Sequence, residues 1–208
     1  MRNAYALLGF SFLIVFVGAY IVIRKANAPT SNELIQKEEA TSTVTSKPNE
    51  TSSMLTLTSP AFEDGGSIPS TYTCDGTNVN PEIRISGVPE GTESLVLIMD
   101  DPDIPDAVKQ SRGVEKFDHW VLYAIPKDTT VISEGSPVGT EGLTSAGTTG
   151  YTGPCPPDKE HRYIFRLYAL SGTLNFIKAP TLDEVEEAAK GMTIASATLM
   201  GRYNRVSN

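Results

Sequence analysis

Three apolar runs of strand length constrain this chain more than any other feature: "SLVLIMDD" (Ser94–Asp101), "FDHWVLYAIP" (Phe117–Pro126) and "HRYIFRLYAL" (His161–Leu170). Each is too short, and too rich in β-branched and aromatic residues, to read as a core helix. "MLTLTSPAF", from Met54, opens with the same alternation, and "TIASATLMGRY", from Thr193, reads as a last strand. The 17 Gly and 14 Pro residues of the 208-residue chain punctuate these runs, and Gly135–Pro157 is expected to be irregular. Helical period appears once near the end. In "TLDEVEEAAKGM", Thr181 and Glu184 form a capping box, Leu182, Val185, Ala189 and Met192 share a face, and Gly191 suits the stop. A mainly β domain over 54–208 is expected.

Alternation assigns faces. It groups Leu95, Leu97, Met99 and Asp101; Phe117, His119, Val121 and Tyr123; and His161, Tyr163 and Phe165. Asp101, His119 and His161 each extend an apolar face at a strand end. If the first two strands pair antiparallel, Asp101 and His119 fall at one rim of the sheet. The segment between them, Pro102–Phe117, is 16 residues long, and loops of that length in compact domains are often functional. His161 follows the Gly/Pro-rich stretch. One Asp and two His under two long loops make a pocket. The plainer reading is two half-exposed histidines and an aspartate that turns the chain before a proline.

"AYALLGFSFLIVFVGAYIVI" (Ala4–Ile23) is 20 residues without a charge, the length of a helix that crosses a bilayer. A membrane anchor over 1–25 is expected, with a cleaved signal peptide ending at "ANA" (Ala26–Ala28) as the rival. Residues 26–53 are rich in Ser, Thr, Glu and Lys and read as a disordered linker. "NET" at Asn49–Thr51 is a glycosylation-type sequon. Together these features lead to the expectation of a globular part held outside the cytoplasm. That part carries 12 Lys/Arg against 21 Asp/Glu, which argues against nucleic acid as a partner. Cys74 in "YTCDG" and Cys155 in "GPCPP" form a disulfide if the compartment is oxidising, or stand as two free thiols. No ligand spacing suits a zinc site, and no metal or cofactor is expected.

"DDPDIP", "DHWVLYAIP" and "GPCPPDKEHRYIFRLYAL" together resemble the phosphatidylethanolamine-binding protein family, in its bacterial and archaeal Raf-kinase-inhibitor-like branch. "SPAFEDGGSIPSTYTCDG" and "SGVPEGTESLVLIMDDPD" resemble the same branch in the same order. The resemblance spans Met54 to Tyr203. It implies a large antiparallel sheet, a second smaller sheet and a helix near the C-terminus. With the span at the start, the expected fold is this PEBP-like domain preceded by an N-terminal transmembrane helix. The resemblance also implies a small pocket for phosphate-like groups or phospholipid heads at one end of the sheet. The matching positions are Asp101 and Asp103 of "DDPD", His119, and His161 and Tyr163 of "HRY", with Gly153, Pro154 and Cys155 in the loop that walls the pocket. Histidines and a tyrosine hydroxyl there would donate to phosphate oxygens, and Asp101 would orient a histidine. Two departures stand out. Pro102–Phe117 looks longer than in this branch, and the C-terminal segment of the animal members has no evident match before Asn208.

Three functions are expected to compete. The first is a membrane-tethered binding module for a phosphorylated small molecule or lipid head group. The second is a regulator or inhibitor of a protein partner such as a protease, acting through Pro102–Phe117. The third is a weak hydrolase using Asp/His acid–base chemistry. No G-x-S-x-G nucleophile motif is present, so no catalytic residue is assigned. Oligomeric state is left open.

Overall fold

The computed structural model describes residues 54–205. Eight strands and two helices follow in order: β1 (Thr56–Thr58), β2 (Ile83–Ser86), β3 (Ser94–Asp101), α1 (Asp106–Arg112), β4 (Phe117–Pro126), β5 (Val131–Ile132), β6 (Thr140–Glu141), β7 (His161–Leu170), α2 (Leu182–Ala189) and β8 (Thr193–Tyr203). The large sheet has the order β6-β4-β3-β7-β8, and the small one β1-β2-β5. Every neighbouring pair of strands is antiparallel.

The large sheet is covered on both faces. On one face Leu95, Leu97, Met99, Trp120, Leu122, Phe165 and Leu199 meet Leu57, Ile83 and Ile85 of the small sheet. On the other, Val96, Ile98, Val121 and Tyr123 meet Leu182, Val185 and Ala189 of α2. This explains why "SLVLIMDD" is one unbroken apolar run: β3 is central, and all eight of its residues are buried. Helix α2 starts as its capping box dictates. Thr181 Oγ1 accepts from the Glu184 N–H at 3.3 Å, and Glu184 Oε2 accepts from the Thr181 N–H at 2.8 Å.

The expected architecture of two sheets and a C-terminal-region helix is present, but the expected transmembrane helix is corrected. Among the described residues no helix is long and apolar enough to cross a membrane. The two α-helices have seven and eight residues, far short of the roughly 20 that span a bilayer. The segment read as an anchor, 1–25, and the linker, 26–53, lie outside the described residues.

Two local readings also change. Pro102–Phe117 is not all loop. Pro105 precedes α1 and Gly113 closes it in the left-handed conformation, φ 65°. Strict alternation fails in β4, because the register slips between Met99↔Trp120 and Asp100↔Asp118, leaving His119 as an extra residue. Phe117 and His119 therefore face the small-sheet side together with Trp120. Val121 and Tyr123, expected beside His119, face α2 instead.

Candidate functional site

The antiparallel pairing of β3 with both β4 and β7 brings the end of β3 and the starts of β4 and β7 to one rim. Asp101, His119 and His161 stand there, 3%, 5% and 0% exposed. They form the floor of a cavity of about 240 Å³. Ile104 and Phe117 give one apolar wall, with Val108 and Arg112 of α1 beside them. Val108 and Arg112 are four residues apart, so one helix face presents both. A second wall is formed by Thr152, Gly153, Cys155 and Pro157.

That second wall is stapled to a distant part of the chain. Cys74 and Cys155 are joined in a disulfide, with Cα atoms 5.4 Å apart. The Cys74 N–H donates to the Pro154 carbonyl at 3.0 Å. The Gly153 N–H donates to Asn78 Oδ1 at 2.8 Å, and the Tyr151 hydroxyl to the Tyr72 carbonyl at 2.9 Å. Gly153 is required by close approach. A Cβ there would lie 2.6 Å from the Tyr72 carbonyl oxygen and 3.0 Å from the Thr73 Cα.

The hydrogen bonds of the floor fix its chemistry. The Thr152 carbonyl lies 2.6 Å from Nδ1 of His119. A carbonyl can only accept, so Nδ1 carries the proton, and Nε2 of the neutral ring presents a lone pair. Burial lowers the His119 imidazole to about 4, against a smaller upward pull from the Thr152 carbonyl and Asp100, so the ring is neutral near pH 7. Its ring lies between those of Phe117 and Tyr163, at centroid distances of 4.7 and 5.2 Å.

His161 is held between two carboxylates. Its Nδ1 is 2.6 Å from Asp101 Oδ2, and its Nε2 is 2.9 Å from Asp158 Oδ1. Two hydrogen bonds among these three groups need two protons, one more than a neutral ring holds. Asp101, His161 and Asp158 therefore form one hydrogen-bonded chain in which both ring nitrogens are engaged. Asp101 also accepts from the Asp103 N–H at 2.7 Å through Oδ1. Burial raises the Asp101 carboxyl, while the His161 hydrogen bond lowers it.

Of the residues assigned from sequence, Asp101, His119, Gly153, Cys155 and His161 line the cavity, whereas Asp103, Pro154 and Tyr163 do not. Asp103 turns outward. It accepts from Arg162 Nε and Nη2, both at 2.7 Å, and this pairing holds its carboxyl down at about 2. Tyr163 packs edge-on against His119, fully buried, its hydroxyl near the Cys155 backbone without closing a hydrogen bond. Burial first, and Asp101 second, raise that hydroxyl, so it stays protonated.

Sequence reasoning missed Asp158, Thr152 and Arg112. Asp158 stands three residues before His161 in a stretch already singled out. Thr152 acts through its backbone, which no side-chain pattern shows. Arg112 became visible only once α1 was recognised as a helix.

The sequence pattern of the phosphatidylethanolamine-binding protein family matches residues 58–204. The UPF0098 protein of Methanothermobacter thermautotrophicus is 42% identical over 158 residues, covering 73% of this chain and 99% of its own. The UPF0098 protein of Chlamydia trachomatis is 40% identical over 152 residues, with the same coverage. Among solved structures, the PEBP homologue CT736 from Chlamydia trachomatis superposes with a TM-score of 0.70 at 39% identity, covering 74% of this chain and all of its own. YbcL of Escherichia coli, described as a member of the mammalian PEBP family, superposes with a TM-score of 0.65 at 25% identity, covering 73% and 99%. The chain belongs to the phosphatidylethanolamine-binding protein family, with its bacterial and archaeal members as near relatives.

Proposed function

We propose that this domain is a binding module for a small phosphate-like anion, either a free phosphorylated molecule or a phospholipid head group. The observation that carries the reading is the cavity of about 240 Å³ at the sheet rim, with His119, Asp101 and His161 as its floor. That size suits a head group better than an acyl chain. The family's name points to the same ligand class. The site is built to hold its shape: a disulfide and three hydrogen bonds tie one wall to Tyr72, Cys74 and Asn78, and each floor side chain is held by at least one hydrogen bond. Such preorganisation lowers the ordering cost of binding. The disulfide also supports residence in an oxidising compartment.

Calorimetric titration with inorganic phosphate and phosphoethanolamine tests this. The chain is expected to bind at least one of them at millimolar concentration or below. His119→Ala should abolish the heat while leaving the unfolding transition cooperative. Unchanged binding in that variant, or no heat from either ligand, would sink the assignment.

A further inference from the structure

A phosphate site is normally built from donors, and the floor of this one offers few. The Nδ1–H of His119 donates to the Thr152 carbonyl, leaving a lone pair on Nε2. Both ring nitrogens of His161 are engaged by Asp101 and Asp158. Both oxygens of Asp101 are already acceptors, one from the Asp103 N–H and one toward His161. The Tyr163 hydroxyl is outside the lining. The side chains at the floor therefore present lone pairs, not protons. The cation of the cavity is elsewhere. Arg112, exposed on α1, lines the cavity and forms no salt bridge among the described residues. Arg162, by contrast, is spent on Asp103.

We propose that the pocket selects a phosphate group that still carries a proton: the ligand O–H donates to Nε2 of His119 while the Arg112 guanidinium neutralises the charge. This rests on the anion-pocket reading above and sharpens its substrate class. A phosphate monoester or free phosphate has a second ionisation near pH 6 and can bring that proton to the floor. A diester, which a phospholipid head group is within its lipid, has no such proton, so of the two sources named above this inference selects the free monoester. A diester would meet lone pair with lone pair, a buried contact without a hydrogen bond. The proton is conserved in the step: it stays on the ligand, or is shared with Nε2, and it comes from solvent when the free ligand is a dianion. The titratable groups that bear on His119 are Asp100 and His161, which act on its charge, Tyr163 against its ring, and Asp101 and Arg112 in the same cavity lining.

The test is calorimetry of the full chain with methyl phosphate, dimethyl phosphate and ethanolamine at about pH 7.5, above the second ionisation of a phosphate monoester near 6, in buffers of different ionisation enthalpy. Methyl phosphate is expected to bind with uptake of nearly one proton, and dimethyl phosphate at least about ten-fold more weakly, the cost of one unmade hydrogen bond at a charged group. Arg112→Gln, on an exposed helix face, should weaken methyl phosphate about ten-fold or more without changing stability. Methyl phosphate binding without proton uptake, equal binding of the diester, or an unaffected Arg112→Gln variant overturns this inference and leaves the anion pocket standing. Ethanolamine binding more tightly than methyl phosphate, or no binding of either phosphate, overturns the anion pocket as well.

Discussion

Asp118→Asn should make this protein more stable at neutral pH. Asp100 and Asp118 are directly opposed across β3 and β4, on the face toward α2. Asp100 is paired with Arg166 and lies 3.4 Å from the Lys116 ammonium. Asp118 has no such partner, and its Oδ1 is buried without a hydrogen bond. Burial pushes the Asp118 carboxyl up to about 6; Lys116 opposes this, and Asp183, Asp100 and Glu186 add to it. Between pH 3.8 and about 6 the folded chain thus keeps a proton that the unfolded chain has released. Stability falls as pH rises through that window and stays low above it. At about 1.4 kcal/mol per pH unit, moving the carboxyl from 3.8 to about 6 costs about 3 kcal/mol. Allowing for its partial exposure, asparagine should recover about 1–3 kcal/mol. Urea unfolding of parent and variant between about pH 4 and 8 measures this. The difference should be near zero at the acid end, grow through the window and level off above about pH 6. A variant no more stable than its parent at neutral pH, or a difference that ignores pH, would refute the argument.

Three further outcomes are expected. His119 works in the opposite sense: its imidazole, lowered from 6.5 to about 4, stays neutral where the unfolded chain takes up a proton, so stability is lost as pH falls through that range. The loss, about 3 kcal/mol in total, should vanish in His119→Gln, read from the same urea series as a difference between the two curves. Replacing both Cys74 and Cys155 by Ser opens a loop with a sequence separation of 81 and should cost about 4–5 kcal/mol in urea unfolding; a loss below about 1 kcal/mol would mean the bond is dispensable. Gly153→Ala should cost about 1–3 kcal/mol in thermal unfolding and weaken phosphate binding, because the Tyr72 and Thr73 backbone cannot give way as a side-chain end would. Unchanged binding in that variant would separate the wall from the site.

Much of the fold was legible because its long strands carry strong patterns. The bounds of β4 and β7 coincide with the quoted runs, and the capping box fixed the start of α2. The short strands β5 and β6 were not legible, since two residues hold no period. Helix α1 was hidden in a segment rich in Pro and charge, with only seven residues between its cap signals. The site was legible in part. Asp101 and His161 follow from strand-end position and alternation. His119 reached the same rim although alternation put it with the wrong neighbours. A bulge shifts every later residue to the other face, and nothing in "FDHWVLYAIP" marks where it falls.

That bulge is what lets a polar pocket adjoin the core without breaking it. With His119 as the extra residue, His119 and Trp120 both turn toward the small sheet. Trp120 then packs edge-on to Tyr151, at a centroid distance of 5.5 Å, while His119 reaches the cavity. The same turn sets the histidine against the wall loop, where the Thr152 N–H donates to the His119 carbonyl at 2.8 Å and the Thr152 carbonyl accepts from the Nδ1–H. Next along that loop, Gly153 is tied to Asn78, Pro154 to the Cys74 N–H, and Cys155 to Cys74 itself. The donor or acceptor character of the floor is therefore decided by a backbone carbonyl on a stapled loop. Side-chain identity at position 119 supplies an imidazole; the wall decides which of its nitrogens keeps a lone pair.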